Sequence, residues 1–408
     1  MDKREKDMMG NKKEKPKMEA SVKSFITAIL VIFTMMVLTY ALTFLIPGGY
    51  IPFWKWLLSP ILVLFTEDSG SMIAIIALLV VLGGVFNSLD KFGILKFLLD
   101  KITVKFGKSR RILLMVIPLF FMILGSAAGT FEECVPLVPV VVALAVRLGW
   151  DVLTGLGMSV LAVGCGFAAG VCNPFTIGVA QELAGLPMFS GMWYRAVAFV
   201  IIYTFLMIFL LIHVKKIEKP MSEEMLQISK EGKLRQIVPC SSGSILWKLG
   251  ITFKEGVVSV LPGVLLILMA NSIRYTLMEG NILDTILNGA VNLASGMPRW
   301  GIVLFIYGLV LFLNFFIPSG SAKAFLLMPL IVPLADAFGI SAQLCVMAFA
   351  FGDGFSNVFY PTNPVLLISI GLANVSYGTW AKWSVKFQLL NIFVTSGLLL
   401  LGMVIGYC

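Results

Sequence analysis

The sequence predicts an all-α polytopic membrane protein built from two inverted repeats, each with a re-entrant hairpin and a broken helix. Three observations support this fold class: the apolar composition, the spacing of long apolar runs, and a weak internal repeat. Of the 408 residues, 59% are hydrophobic and 13% are charged, and the mean hydropathy is +0.96. A soluble globular chain carries about 25% charged residues, so this much apolar surface requires a lipid bilayer as its solvent.

Long apolar runs define the spans, because a helix needs about 20 apolar residues to cross the bilayer core. Two of the long apolar runs, 112–148 and 302–338, are interrupted near their centres by small and charged residues. Two half-length helices that meet at such a tip form a re-entrant hairpin, whose irregular backbone must be buried in protein or line a cavity. The alternative is two ordinary helices joined by a loop. The uninterrupted candidate spans are 24–46, 70–90, 153–185, 192–214, 256–276 and 383–406.

An ungapped shift of 190 residues superposes residues that commonly shape the backbone. Its matches are Pro139 on Pro329, Gly149 on Gly339, Gly164 on Gly354, Asn173-Pro174 on Asn363-Pro364 and Trp193 on Trp383. Each repeat then crosses the membrane three times, and an odd number of crossings inverts the second repeat. The predicted organisation is a cytoplasmic tail (1–23), an extra N-terminal helix (24–46), repeat 1 (55–215, with hairpin 112–148 and broken helix 153–185), a cytoplasmic linker (216–244) and repeat 2 (245–408, with hairpin 302–338 and broken helix 341–372).

The net charge of +9 is explained by membrane topology rather than by nucleic acid, because the basic residues flank apolar spans. With the N-terminus inside, 26 of the 31 Lys and Arg residues fall on the inner side. This distribution follows the positive-inside rule. The sequence therefore predicts a multi-pass protein of a bacterial-type inner membrane, with a cytoplasmic N-terminus, contact with the lipid bilayer and no nucleic-acid partner.

Residue counts exclude several classes of chemistry. His213 is the single histidine of the chain, which leaves no His-based metal site and no Ser-His-Asp triad. The six cysteines form no CxxC pair and most lie in apolar runs, where small buried residues are common. We therefore expect no cofactor and no enzymatic activity.

Asn-Pro pairs break one helix in each repeat at matched positions. Proline removes a backbone donor and frees carbonyl groups, and the half-helix beyond it presents N–H groups suited to a carboxylate. Asn173, Thr176, Thr362 and Asn363 are the predicted oxygen ligands of a Na⁺ ion at these breaks. The other uncharged candidates for substrate or ion binding, on the hairpin tips and broken helices, are Ser126, Thr130, Ser319, Ser321 and Asn357.

Four ionisable residues lie inside predicted spans, where a charge costs about 2.5–3.5 kcal/mol at the helix centre. Glu132 and Glu133 lie at the first hairpin tip, and the 190-residue shift places Glu133 opposite Lys323 at the second. One hypothesis is that these four residues bind substrate or ions. The alternative is that Glu133 and Lys323 only form an ion pair that holds the two hairpin tips together. Asp353 lies about 18 Å into its helix with no cationic neighbour in sequence, so we predict that it responds to protons or cations.

Several motifs at the tips and breaks carry a family resemblance. They are GTFEE at 129–133, PLVP at 136–139, NPFTIGVAQ at 173–181 and LPMFSG at 186–191, then FFIPSGS at 315–321, Met-Pro at 328–329, FGDGF at 351–355 and Pro-Thr at 361–362. Through these motifs, most of residues 24–408 resembles the YfcC-like branch of the C4-dicarboxylate anaerobic carrier family.

The resemblance implies a secondary carrier of the ion-transporter superfamily, similar in architecture to the citrate, succinate and aminobenzoyl-glutamate transporters. Those transporters are homodimers in which a mobile domain slides against a fixed scaffold. We therefore expect a homodimer, with about 112–190 and 302–380 as the mobile parts. The hairpin tips of sodium-coupled dicarboxylate carriers read Ser-Asn-Thr, whereas the tips here read Gly129-Thr130-Phe131 and Ser319-Gly320-Ser321.

Together these observations predict an elevator-type secondary active transporter of a small carboxylate-bearing metabolite. Its substrate is a C4-dicarboxylate or an amino acid, and its transport is coupled to H⁺, Na⁺ or a counter-substrate. An intramembrane hydrolase is one alternative and predicts a nucleophile–base pair at the midplane. A channel is another and predicts one continuous polar lining.

Overall fold

The computed structural model describes residues 17–46, 50–66, 69–94, 101, 109–129, 131–218, 245–282, 285, 289, 292–294 and 296–408. Within these residues every regular element is a helix, which confirms the all-α prediction. Most of the predicted tail and linker, and the candidate residue Thr130, lie outside the described residues.

The described residues of the first half contain nine helices, some of them continued by other helical turns. They are α1 (Lys17–Leu45), α2 (Phe53–Leu57), α3 (Ser59–Leu62), α4 (Ser69–Lys91), α5 (Arg110–Ile123, continued by a π-helical turn Leu124–Ala128), α6 (Val138–Arg147, preceded by a 3₁₀ segment Glu132–Leu137), α7 (Val152–Leu156, a π-helical turn Gly157–Leu161, and Ala162–Ala169), α8 (a π-helical turn Pro174–Gly178, then Val179–Leu183) and α9 (Met192–Ile217).

The second half follows the same order from its long first helix onward. Its helices are α10 (Ile245–Glu279), α11 (Arg299–Asn314), α12 (Gly320–Ala337), α13 (Ala342–Asn357), α14 (Pro364–Leu372) and α15 (Tyr377–Val404). Helix α11 is thus the counterpart of α5, and the pair α13 and α14 is the counterpart of α7 and α8.

Six of the described segments are long and apolar enough to cross a membrane: Arg110–Ala128, Val152–Leu183, Met192–Ile217, Trp247–Glu279, Gly320–Ala337 and Tyr377–Val404. This finding supports the multi-pass prediction. The share of each segment that the protein itself covers differs widely. An apolar 18-residue stretch of Val152–Leu183 is 89% buried, whereas the corresponding stretch of Met192–Ile217 is 33% buried. Helices α7 and α8 therefore lie at the centre of the molecule.

Side-chain caps set several helix starts. The Asp151 carboxylate accepts the N–H of Thr154 at 2.8 Å and so begins α7. At the starts of α13 and α15, the side chains of Ser341 and Ser376 each accept the backbone N–H of the residue three positions later in the chain. These caps satisfy backbone donors that a helix leaves free in its first turn.

The two broken helices cross each other through glycines. A Cβ atom added to Gly354 in α13 would overlap the backbone of Ala168 in α7, and one added to Gly164 would overlap the Val358 side chain. The 190-residue shift converts one of these contacts into the other, because 164 becomes 354 and 168 becomes 358. A surface that meets its own copy in this reciprocal way is typical of two-fold symmetry, which supports the predicted repeats. The domain boundaries and the inversion stay predictions.

Replacing Gly354 by alanine should destabilise the fold, because the added methyl group would overlap the Ala168 backbone. Overpacking of this kind costs about 1–3 kcal/mol. Gly397→Ala in α15 is the matched control, since nothing lies within 4 Å of the position that a Cβ would occupy there. Thermal unfolding of both purified variants in detergent measures the difference. Equal Tm values for Gly354→Ala and the control would contradict the close approach of the two helices.

Candidate functional site

A cluster of buried polar side chains joins the second hairpin to the second broken helix. Asn357 Nδ2 donates to Asp353 Oδ1 at 3.1 Å, and Asn314 Nδ2 donates to Asn357 Oδ1 at 2.9 Å. Asn363 Nδ2 donates to the same Asn357 oxygen at 3.1 Å. Together with Lys323 these residues connect α11, α12, α13 and the start of α14, so the cluster links both arms of the second hairpin to the second broken helix.

An ion pair lies at the centre of the cluster. Lys323 Nζ is 2.5 Å from Asp353 Oδ1, and the two side chains are 0% and 1% exposed. Lys323 lies in the first turn of α12, where its backbone N–H donates to the Ser319 carbonyl. The hairpin therefore turns its tip towards α13 and delivers the ammonium group to the carboxylate.

The pairing of Lys323 differs from the pairing considered from sequence. The 190-residue shift suggested Glu133 as its partner, but Glu133 is exposed and the ammonium of the buried Lys323 bonds to Asp353. Asp353 has no cationic neighbour in sequence, but the fold brings the Lys323 ammonium to its carboxylate. The cause is hairpin geometry, because 30 residues of chain separate two groups that the fold places in contact.

Among the described residues, the second carboxylate oxygen of Asp353, Oδ2, is buried without a hydrogen-bond partner. A Cβ added to Gly320 would overlap this oxygen and would lie 2.5 Å from Thr176 Cγ2. Asp353 Oδ2 therefore lies between the tip of the second hairpin and the start of α8 in the first half. Two other buried polar atoms of the described cluster also lack a hydrogen-bond partner, Asn314 Oδ1 and Thr362 Oγ1.

Both half-helices beyond the breaks are capped by their own asparagines. Asn173 Oδ1 accepts the N–H groups of Phe175 and Thr176 at 2.9 and 3.3 Å. Asn363 Oδ1 accepts those of Val365 and Leu366 at 2.9 and 3.2 Å. Each cap therefore occupies the backbone N–H groups that the sequence predicts to be suited to a substrate carboxylate.

The predicted Na⁺ ligands form two groups. Asn173 Nδ2 donates to Thr176 Oγ1 at 2.6 Å, so these two side chains are in contact at the first break. Thr362 is adjacent to Asn363 at the second break, and both are buried. Both asparagine carbonyl oxygens already accept backbone N–H groups, as described above. A Na⁺ ion at these residues stays a prediction.

The first hairpin tip contacts the first break. Ser126 Oγ accepts the Val171 N–H at 3.0 Å, and the Ser126 carbonyl accepts the Cys172 N–H at 3.1 Å. Gly129 has a φ of 65°, a left-handed conformation that favours glycine. Glu132 is half-buried in the 3₁₀ segment that follows.

The structure thus brings together some of the predicted residues and separates others. Lys323, Asp353, Asn357 and Asn363 form one cluster, and Ser126, Asn173 and Thr176 lie on the first tip and break. Ser319 and Ser321 are half-buried at the second tip, on either side of Gly320.

Two buried polar residues were missed from the sequence. Asn314 connects α11 to α13, but it is a single polar residue in an apolar run and carries no distinguishing signal. Arg195, near the start of α9, is 0% exposed and donates from Nε and Nη2 to the Val171 carbonyl at 3.3 and 3.2 Å. Its Nη1 donates to Gln343 and Tyr407. The sequence carried one signal for a buried donor here: the break at the end of α7 frees a backbone carbonyl group, which then needs a hydrogen-bond donor nearby.

The charge is distributed unequally over the two halves. The 190-residue shift maps Asp353 onto Val163, Asn357 onto Phe167 and Asn314 onto Leu124. The first half thus has apolar side chains at these three positions, whereas Lys323 maps onto Glu133 and Asn363 onto Asn173. The asymmetry between the two halves therefore concerns Asp353, Asn357 and Asn314.

Comparison with known proteins assigns the class. The chain is a multi-pass membrane transporter, since the family profile described as C4-dicarboxylate anaerobic carrier (DcuC) matches residues 58–237 and 248–405. The chain belongs to the C4-dicarboxylate anaerobic carrier family. This is a family of carriers rather than of enzymes, and the resemblance seen in the sequence motifs is confirmed.

Individual relatives agree with this assignment. The putative basic amino acid antiporter YfcC of Escherichia coli (strain K12) is 27% identical over 404 residues, with 83% of this chain and 79% of YfcC covered. An uncharacterized protein of Haemophilus influenzae (strain ATCC 51907 / DSM 11121 / KW20 / Rd) is 26% identical over 372 residues, covering 78% of this chain and 73% of that protein. The chain is a YfcC-like member of the family.

One solved structure is similar over nearly the whole length. The crystal structure of the Alcanivorax borkumensis YdaH transporter, which has an unusual topology, has a TM-score of 0.48 and 15% sequence identity. The match covers 95% of this chain and 98% of that one.

The ion pair should reveal itself in a double-mutant cycle. Lys323→Met and Asp353→Asn each remove one partner, which costs about 3–5 kcal/mol for a buried pair. The double variant should recover most of this loss, because no unpaired charge remains. Thermal unfolding in detergent measures the three variants against the unmodified protein, with Lys386→Met at an exposed position of α15 as the control. Additive losses in the double variant would contradict the pairing.

Proposed function

We propose that this chain is an elevator-type secondary active transporter whose substrate binds at the Lys323–Asp353 pair, between the second hairpin tip and the start of α8. The observation that carries the proposal is the free Oδ2 oxygen of a fully buried aspartate. Burying an acceptor without a hydrogen bond costs about 1–3 kcal/mol. A ligand that donates to Oδ2 would recover that free energy on binding.

An amino acid fits this site better than a dicarboxylate. Two acceptor oxygens, Asp353 Oδ2 and Asn314 Oδ1, have no partner among the described residues, and acceptors bind N–H groups of an ammonium or guanidinium. The backbone N–H groups that would bind a second carboxylate are already used by Asn173 and Asn363. The E. coli relative is named a putative basic amino acid antiporter, which agrees with a substrate rich in donors.

A C4-dicarboxylate is the second candidate. Lys323 supplies an ammonium group that binds a carboxylate, and the family is named for C4-dicarboxylates. This substrate requires Lys323 to leave Asp353, and Asp353 would then have to take up a proton to avoid an unpaired buried charge.

H⁺ or a counter-substrate is the proposed coupling partner. A Na⁺ ion bound by Asn173, Thr176, Thr362 and Asn363 would need carbonyl oxygens that now accept backbone N–H groups, so sodium coupling requires the breaks to rearrange. We further propose a homodimer in the inner membrane with its N-terminus in the cytoplasm, on the strength of the family resemblance and the distribution of Lys and Arg.

Asp353→Asn should reduce transport to background, because the neutral amide removes the charge that holds the substrate while preserving its size. Uptake of arginine, ornithine, citrulline, aspartate, fumarate and succinate into proteoliposomes is measured at two pH values with and without Na⁺. Asp336→Asn, exposed near the end of α12, is the matched control and should transport normally. Full uptake by Asp353→Asn with an unchanged pH profile would overturn the proposed site.

A further inference from the structure

Lys323 and Asp353 form a pair that a stable fold does not require. Replacing a buried ion pair by apolar side chains is often neutral or stabilising, since desolvation offsets the attraction between the charges. The first half has Val163 at the position equivalent to Asp353. The second half nevertheless keeps both charges at 0% and 1% exposure. Their retention in one half therefore calls for a role beyond packing.

The geometry around the pair resembles an occupied cation site. The Lys323 ammonium contacts one oxygen of a carboxylate whose other oxygen has no partner among the described residues. Asn357, one turn further along α13, donates from Nδ2 to the first oxygen at 3.1 Å. Gly320 approaches the second oxygen so closely that a Cβ atom there would overlap it.

We propose that Lys323 is a tethered cation that fills an ammonium-binding site at Asp353 while the carrier is empty. The inference rests on the proposed function and adds the role of Lys323. A cationic group of the substrate takes the place of the lysine ammonium at Asp353, which is why the carrier needs no Na⁺ to neutralise this carboxylate. The chemical class that the site accepts is a primary ammonium.

Charge balance determines what Lys323 does when it is displaced. An ammonium ligand that brings no carboxylate to Lys323 would leave the lysine charge buried without a partner, at high cost in free energy. With such a ligand on Asp353, Lys323 releases its proton to water and becomes a neutral amine. One cation binds and one proton leaves, so the site holds the same net charge before and after binding.

A test of the site requires no knowledge of the substrate. Lys323→Ala removes the tether and leaves an open cavity beside an unpaired Asp353. Adding ethylammonium chloride should then raise the Tm of this variant by several degrees, in a saturable way, because a ligand that binds only the folded state stabilises it. Tetramethylammonium chloride at equal ionic strength lacks N–H donors and should leave the Tm unchanged.

Two further variants serve as controls. Lys323→Met fills the cavity with an apolar chain of similar length, so ethylammonium should not raise its Tm. Lys323→Ala/Asp353→Asn removes the charge that attracts the cation, so it should not respond either. If Lys323→Ala folds only when ethylammonium is present during purification, that requirement is itself the expected rescue.

Three results would overturn the inference. They are an unchanged Tm of Lys323→Ala over the whole ethylammonium titration, an equal response of the Asp353→Asn double variant, and rescue by NaCl but not by ethylammonium. A Lys323→Ala protein that cannot be purified with the amine, while the double variant can, counts against it as well. Because the assay measures stability and not transport, its failure is distinguishable from a failure of the proposed transport function.

Discussion

The contact between the Lys323 ammonium and the Asp353 carboxylate is the interaction on which the rest of the site depends. Neither charge is stable alone in this surrounding, since an unpaired buried charge costs far more than a paired one. The second hairpin must therefore bring its tip to α13, and α13 must present Asp353 there. Asn357, Asn314 and Asn363 extend the same network to α11 and α14. In the proposed transporter, movement of the hairpin tip and a change in charge at Asp353 would thereby be coupled.

Close helix packing provides the framework for this pair. Gly164 and Gly354 let α7 and α13 approach until the backbone of one meets the side chain or backbone of the other. The crossing has the same form in both directions, whereas Asp353, Asn357 and Asn314 all lie in the second half. Thr176 of the first half lies beside Gly320 at the second hairpin tip, so both halves contribute residues around Asp353.

Much of the fold is predictable from the sequence because membrane helices leave strong local signals. Apolar length gives the spans, and Asn-Pro pairs mark the starts of α8 and α14, where the asparagines cap the helices. The partner of Lys323 could not be predicted from the internal repeat. The 190-residue shift identifies equivalent positions in the two halves, whereas the Lys323–Asp353 contact joins two positions that are not equivalent. The burial of Arg195 was missed for a related reason: its carbonyl partner, Val171, lies in the break between α7 and α8, far from Arg195 in sequence. Charge counts place a residue on one side of the membrane but do not give its depth.

The proposed transport mechanism requires that the second hairpin tip, as part of the substrate site, be exposed alternately to the two sides of the membrane. The most direct measurement is the labelling of Ser321→Cys by membrane-impermeant thiol reagents, applied from each side of oriented vesicles, in a variant whose six native cysteines are replaced. We predict labelling from both sides, with slower labelling when a transported substrate is present. Labelling from one side only, unaffected by any substrate that the protein transports, would contradict the account.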